Sequence, residues 1–451
     1  MLFDSFIIKA VQFKNRILRS SMGGRTSYYD GSVSPAWRHF ERKFSETGVA
    51  GIISATIDID DNRLSPLEYP KLSDDRFIAP LREGVKAVHQ QDCRYIIQIG
   101  DPGGQTQTSL LSQDADAKSA SAGFDLLYGY RNHTIAMTTG EVEREVEEFE
   151  QAARRVRETG ADGIEVTASK GYIIHQFLNP ATNRRTDRYG GSVEKRFQLL
   201  REIVTRVRAT VGPDFLFGIR LSAEDYNYLP VNLRLPIVFP LRHYFFGNRL
   251  EQNLSYAQEL EKLGIDYLHV DSGFGFINPK GNPGAYPIDG IKLFANSTRH
   301  LSAKAAVRAM LINCFPAPLA RVTLGLGWRF TPAANADYAL AFKRVLKIPV
   351  ISNGGFQRRD IIEDTLSAGK CDLIAIARPL LANPDLLRVF AAGRNEPDNA
   401  CTFCNRCCSR TAVLPLGCYE ESRFRSQEEM KQQILAWSGT PDPASDGREI
   451  S

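Results

Sequence analysis

The chain has 451 residues, 43% of them hydrophobic and 24% charged, with 56 Lys and Arg against 52 Asp and Glu. That balance excludes a disordered, collagen-like or coiled-coil chain. A formal charge of +4, with no run of Lys or Arg longer than pairs such as Arg184-Arg185 or Arg358-Arg359, leaves no electrostatic footprint for nucleic acid, so small molecules are the expected partners. The opening Met-Leu-Phe-Asp-Ser-Phe lacks a basic segment followed by an apolar one, and no secretory signal is expected. Apolar stretches at 232–246 and 305–327 are interrupted by Arg or Pro, which predicts no membrane span; residues 309–320 read as a lid or an interfacial hairpin. Eight cysteines are too few for a disulfide scaffold, and five of them crowd into 401–418, which points to metal chemistry in a reducing, cytoplasmic compartment.

One module recurs along the chain: an amphipathic helix, a Gly that stops it, then a short β-branched run. Gly48 to Gly51 leads into Ile52-Ile53-Ser54. Thr138 and Glu141 stand at capping-box spacing ahead of Val142, Val146, Phe149 and Val156 on one helical face, then Gly160 and the strand Gly163 to Val166 follow. The same grammar runs from Phe197, Leu200, Ile203 and Val207 through Gly212 to Phe215–Ile219, and from Leu254, Leu260 and Leu263 through Gly264 to Tyr267–Val270. Near the C-terminus Ile361, Ile362 and Leu366 precede Gly369 and the strand Leu373–Ile376.

Alternation of helix with short apolar strands predicts parallel pairing, an α/β chain. Strands near 16–20, 51–55, 94–99, 162–166, 215–219, 266–270, 348–352 and 371–376 make eight, the number a closed (β/α)8 TIM barrel requires. A doubly wound sheet is the competing architecture, disfavoured because no Gly-x-Gly-x-x-Gly opens a helix after a strand. Residues 222–250 and 276–335 fit no module and read as βα-loop insertions, either substrate walls or packing over the rim. The expected division is a barrel over 1–395, a Cys-rich extension over 396–424 and a polar tail over 425–451 whose last dozen residues are disordered.

Ser352-Asn353-Gly354-Gly355-Phe356 and Ile376-Ala377-Arg378-Pro379 fall at the ends of strands seven and eight. There backbone N–H groups at Gly354 and Gly355, with the Arg378 guanidinium, suit a phosphate. His175-Gln176-Phe177-Leu178-Asn179-Pro180, followed by Asn183-Arg184-Arg185-Thr186-Asp187-Arg188-Tyr189-Gly190-Gly191-Ser192, closely resembles the signature of the Old Yellow Enzyme family of flavin-dependent NAD(P)H oxidoreductases. Asn15-Arg16-Ile17, Gln98 in Ile97-Gln98-Ile99, Arg220 in Gly218–Ser222 and the phosphate pair fall in that family's order, and the likeness covers roughly 2–390.

The resemblance implies an FMN barrel reduced by NAD(P)H. Ser20, Ser21, Met22 and Gly23 would line the flavin ring, Ala55 and Gln98 would approach its pyrimidine edge, Gly354, Gly355, Ala377 and Arg378 would hold the phosphate, and Arg220 would stabilise the reduced ring. Tyr172 falls where the family's ene reductases keep a proton donor for an α,β-unsaturated carbonyl substrate; its plain alternative is a packed rim aromatic. The family's usual His pair is replaced by Thr167 and Lys170, which the resemblance makes substrate anchors, with Lys170 polarising a carbonyl or pairing with a carboxylate, unless it turns out to solvent. Asp101-Pro102-Gly103-Gly104 is a second departure, at a position where relatives often carry a His-x-Gly-Arg stretch.

Cys401, Cys404 and Cys407, then Cys418, stand at a spacing that can wrap a [4Fe–4S] cluster or a zinc ion, or stand as unmetallated thiols, with adjacent Cys408 making the third ligand ambiguous. The run resembles the iron–sulfur branch of the same superfamily, which includes 2,4-dienoyl-CoA reductase. Two other readings stand beside an ene reductase: an FMN/[4Fe–4S] dehydrogenase passing electrons to a protein partner, and a flavin-binding barrel without turnover.

Overall fold

The computed structural model describes all residues except 62–68, 107–116, 124–133, 228–230, 234–244, 276–277, 412 and 440–451. Eight parallel strands form the frame: β1 (Ile17–Arg19), β2 (Gly51–Ile53), β3 (Arg94–Gly100), β4 (Gly163–Ala168), β5 (Leu216–Ser222), β6 (Tyr267–Asp271), β7 (Val350–Asn353) and β8 (Leu373–Ile376). Each pairs with its chain neighbour, and β8 returns to β1 through Ile374 opposite Ile17, so the ring closes. Closure is the finding that excludes the doubly wound sheet.

The strands separate two cores. Leu18, Ile53, Ile96, Leu216, Ile351 and Leu373 point into the barrel. An antiparallel hairpin of Phe6–Ile8 and Val11–Phe13 adds Ile8 and Phe13 to that cluster and stoppers one end. Tyr267 also fills this space, and its ring lies where a Cβ on Gly218 of the neighbouring strand would stand, so only Gly fits there. The outward-facing residues pack under the helices in one continuous core.

The helices follow from local chemistry. Thr138 and Glu141 form both halves of the capping box at the start of Thr139–Glu158. Ser192 caps Val193–Val211, and Gly212 at φ +78° ends it. Within the 276–335 insertion, helices Ile288–Thr298, Ala303–Cys314 and Ala317–Thr323 form. Most of the 222–250 insertion lies outside the described residues.

Residues read as a polar tail contain a helix, Gln427–Ser438. Its Trp437 is 1% exposed and stacks on Phe44 at 4.3 Å, so this segment is fastened to the helix Pro35–Ser45 that follows β1. The physical reason is an apolar stripe, Met430, Ile434 and Trp437, set among polar residues. The end of the tail, expected to be disordered, lies outside the described residues.

Candidate active site

A cavity of about 260 Å³ opens at the C-terminal ends of the strands, and nearly every strand contributes to its wall. Ser20, Ser21, Met22 and Gly23 follow β1, and Gln98 comes from β3. Thr167, Lys170 and Tyr172 come from β4 and its loop, and Arg220 from β5. Gly354 and Gly355 follow β7, and Ala377 and Arg378 follow β8. Ala55 stays behind the wall, packed on Tyr69 and Tyr172. The 276–335 insertion supplies Ile291, Phe294 and Arg308, so part of it is a cavity wall.

On the floor, Gln98 Oε1 accepts from Ser21 Oγ at 3.0 Å and Thr56 Oγ1 at 2.6 Å, while its Nε2 donates to Glu165 at 2.6 Å. Glu165 in turn pairs with His269 Nδ1 at 3.1 Å, and His269 Nε2 lies 3.1 Å from the Asn353 amide. Burial pushes the Glu165 carboxyl up, but the His269 imidazole beside it wins and holds it below the usual carboxylate value. This chain of contacts fixes the side chain of Gln98 from beneath.

On one side stands a buried ionic triad. Arg220 donates to Asp271 Oδ2 through Nε at 3.0 Å and through its terminal nitrogen at 2.7 Å. Lys170 Nζ lies 3.0 Å from Asp271 Oδ1, and it also meets the carbonyls of Ser272 at 3.3 Å and Gly281 at 3.1 Å. Three acceptors satisfy the three protons of the ammonium. Lys170 is therefore not turned to solvent, and its ammonium is engaged by these three acceptors. The cause is its backbone: Lys170 at φ +56° is followed by Gly171 at φ +76°, a left-handed pair that turns the side chain back toward β6. Burial would raise the Asp271 carboxyl, but Arg220 and then Lys170 hold it well below the carboxylate range. Burial also lowers Lys170, against the opposing pull of Asp271.

Tyr172 is 2% exposed and immediately precedes the helix Ile173–Leu178. Its hydroxyl engages that of Tyr69, a phenol pushed well above its ordinary value by burial and the Asp58 charge. The signature residues beyond it are structural. His175 Nδ1 accepts from the Gly171 N–H at 3.0 Å, so Nε2 carries the proton given to Asp225 at 2.8 Å. Asn179 and Asn183 hold the next turns, Asn183 donating to the carbonyls of Phe177 and Tyr189 at 2.7 Å each. The motif thus anchors the loop that carries Lys170 and Tyr172. Asp101 caps its own loop from a fully buried position and accepts at its carbonyl from Ile173 N–H at 2.9 Å.

At the other side Gly354 and Gly355 adopt φ +94° and +77°, and a Cβ on Gly355 would overlap the Thr331 carbonyl. Arg378 donates to Pro283 O at 2.9 Å and to Asn405 Oδ1, and lies 5.0 Å from the centre of the Phe403 ring. Among the described residues, Asn282 Oδ1 and Thr411 Oγ1 are buried in the same wall with no protein hydrogen bond. Glycine-lined backbone, a fixed guanidinium and unmet polar atoms in one cavity suit a ligand with an anionic end and a flat polar ring, as FMN has.

Cys407 and Cys408 also face this cavity. Cys401, Cys404, Cys407 and Cys418 share a second, adjoining cavity of about 10 Å³, room for one water. Among the described residues no group of three or more His, Cys, Asp or Glu is arranged to hold a metal ion. Cys418 lies 2.9 Å from an Arg423 nitrogen, and the Cys407 and Cys408 sulfurs lie 4.0 Å apart. Sequence reading missed Tyr69 and Asp271. Asp271 carried a signal, since it is a carboxylate closing the strand Tyr-Leu-His-Val-Asp at the barrel's active end.

Residues 1–229 and 320–397 match the NADH:flavin oxidoreductase / NADH oxidase family. The chain is 26% identical over 455 residues to an NADH oxidase of Thermoanaerobacter brockii, covering 98% of this chain and 60% of that protein. It is 28% identical to a metal reductase of Desulforamulus reducens, covering 90% of this chain and 51% of the relative. It thus spans about half to three-fifths of the length of these two relatives. An NADPH dehydrogenase of Bacillus velezensis is 32% identical over 401 residues, 87% of this chain and 95% of its own. In fold, a solved 2-naphthoyl-CoA reductase complex superposes with a TM-score of 0.74 at 21% identity, covering 98% of this chain and 58% of that one. An Old Yellow Enzyme homologue from Zymomonas mobilis gives 0.65 at 21% identity, covering 89% and 96%. Matched over more than half its length, the chain belongs to the NADH:flavin oxidoreductase / NADH oxidase family, whose flavin is FMN.

Proposed function

We propose that the chain reduces the C=C bond of an α,β-unsaturated carbonyl compound, using NAD(P)H as reductant and FMN held in the strand-end cavity. One observation carries the reading: a phenol, Tyr172, lines the same cavity as the Arg220–Asp271–Lys170 triad and a glycine-lined anion seat. In this reading Gly354, Gly355, Ala377 and Arg378 would hold the phosphate, Ser20 to Gly23 would line the ring, and Gln98 would meet its polar edge. The bound flavin would supply the hydride chemistry between NAD(P)H and the alkene.

The remaining chemistry belongs to the side chains. Two cations against one carboxylate leave the triad with one net positive charge, which favours an anionic ring edge beside Arg220. Tyr172, buried beside Tyr69, would give its phenolic proton to the substrate's α-carbon. Thr167 offers its hydroxyl to the carbonyl, while Lys170 acts through charge, its own hydrogen bonds being committed to Asp271, Ser272 and Gly281. Phe294, Ile291 and Phe403 exclude water from the cavity wall.

The test is Tyr172→Phe, followed anaerobically in two halves. Flavin bleaching by NADPH should be unchanged, and reoxidation by 2-cyclohexenone should slow roughly 10²- to 10⁴-fold, the usual worth of a positioned acid. Equal reoxidation rates would make Tyr172 a packing residue and remove the proposed proton donor.

A further inference from the structure

The helical hairpin of Ala303–Cys314 and Ala317–Thr323 has two unlike faces. Inward, Lys304, Ala305, Arg308 and Ala309 are buried, and Arg308 reaches the cavity beside Ile291 and Phe294. Outward, apolar side chains stand in solvent: Met310 is 59% exposed, Val322 76% and Leu326 73%, with Val307, Leu311 and Leu319 beside them in sequence. A water-facing surface seldom carries such a run without a partner.

Charge identifies the partner's chemistry. Between Asp289 and Asp337 there is no acidic residue, whereas Lys292, Arg299, Lys304, Arg308, Arg321 and Arg329 are basic. Of these, Arg299, Arg321 and Arg329 are exposed. The facing acid is Asp289, 3.4 Å from Arg321 in a half-exposed pair of little strength, and Lys292 caps the Phe315 carbonyl at 2.8 Å. A second copy seated on this face would bring like charges together. Helix Ala303–Cys314 falls between the two segments that match the family, while Arg321, Val322, Leu326 and Arg329 fall within the second. Among the described residues no helix is long and apolar enough to cross a membrane. An apolar, acid-free, basic-rimmed hairpin of this length suits lying on a bilayer.

We propose that residues 303–330 dock on a bilayer surface bearing anionic phospholipid headgroups, with Met310, Val322 and Leu326 entering the acyl boundary and Arg299, Arg321 and Arg329 meeting phosphates. The hairpin's inner face then sets the cavity wall while its outer face rests on lipid. Flotation of the full chain with vesicles of phosphatidylcholine and phosphatidylglycerol in equal parts, against phosphatidylcholine alone, tests this. The wild type should float with the anionic vesicles and at least tenfold less with the neutral ones. Arg321→Gln with Arg329→Gln should weaken binding roughly 25-fold, at about fivefold per cation. Val322→Glu with Leu326→Glu should abolish it while leaving the melting midpoint unchanged, since both side chains are exposed. Absence of flotation, or flotation indifferent to the glutamates, would overturn the proposal. So would a dimer in light scattering that the glutamates dissolve without any vesicle binding, which would assign the face to a second copy.

Discussion

Asp271→Asn is the sharpest single perturbation of the site. The carboxylate sits 2.7 Å from Arg220 and 3.0 Å from Lys170, and the three side chains are 2%, 9% and 8% exposed respectively. At about 3 Å and an effective dielectric constant near 20, each pairing carries a gross attraction of roughly 5 kcal/mol, most of it offset by desolvation. Removing the shared anion leaves two buried cations facing each other, and the expected loss is about 3–5 kcal/mol of folding free energy. Lys170→Met removes one cation and leaves the Arg220–Asp271 pair whole, so its cost should stay near about 1 kcal/mol. The double variant carries the same net charge as the wild-type triad and should fall short of the summed single losses by about 1.5 kcal/mol or more.

Urea unfolding of the four proteins without flavin, followed by far-ultraviolet circular dichroism and tryptophan fluorescence with coincident transitions, measures the cycle. The pH dependence adds an independent sign. Asp271 titrates lower folded than unfolded, so its stabilisation is present above about pH 4 and is lost as pH falls. Lys170 also titrates lower folded, so the unfolded chain binds more protons between its lowered value and 10.5, and stability rises with pH across that window. The Asp271→Asn variant should flatten the acid limb, and Lys170→Met the alkaline one. Additivity within about 0.5 kcal/mol, with both limbs unchanged, would refute the triad as an electrostatic unit.

Gly355→Ala should weaken FMN binding at least tenfold in a flavin-fluorescence titration, because the added methyl meets the Thr331 carbonyl and the residue holds φ +77°. Trp437→Ala should cost about 3–5 kcal/mol by the same urea assay, since it empties the space between Phe40 and Phe44. Glu141, lowered to about 2 by Lys118 and the Thr138 backbone, gives stability that is present above 4.5 and lost as pH falls toward 2; Glu141→Gln should remove that limb and cost about 1 kcal/mol near neutrality, less in high salt.

What could be read from the chain alone was local. Thr138 with Glu141, and Gly160 and Gly212 before their strands, are signals within one module, so the helix–strand order and the eight strands followed from them. Gly354 and Arg378 were legible because strand order puts successive strand ends side by side. The direction of the Lys170 side chain is not legible in Ser-Lys-Gly, because nothing there announces a left-handed backbone and its partner Asp271 lies two strands away. The network through Gln98, Glu165 and His269 was hidden for the same reason, each contact crossing from one strand to another. Trp437 was legible in principle: Met430, Ile434 and Trp437 recur at helical spacing, but the surrounding Gln and Glu residues outweighed them in composition.

The seam between β1 and β8 bears on how the chain comes off the ribosome. Ile17 meets Ile374, 357 positions later, whereas Leu18 meets Gly51 only 33 positions on. The longer closure costs only about 2 kcal/mol more in chain entropy, because that cost grows with the logarithm of loop length. Its kinetic weight is larger. Until residue 376 has been synthesised, β1 and β7 each present an unsatisfied edge, and the stoppered barrel end has no wall against Leu373. A nascent chain of this protein therefore spends most of its synthesis as an open sheet, the form in which a chaperone has something to hold and a truncated product has something to aggregate through.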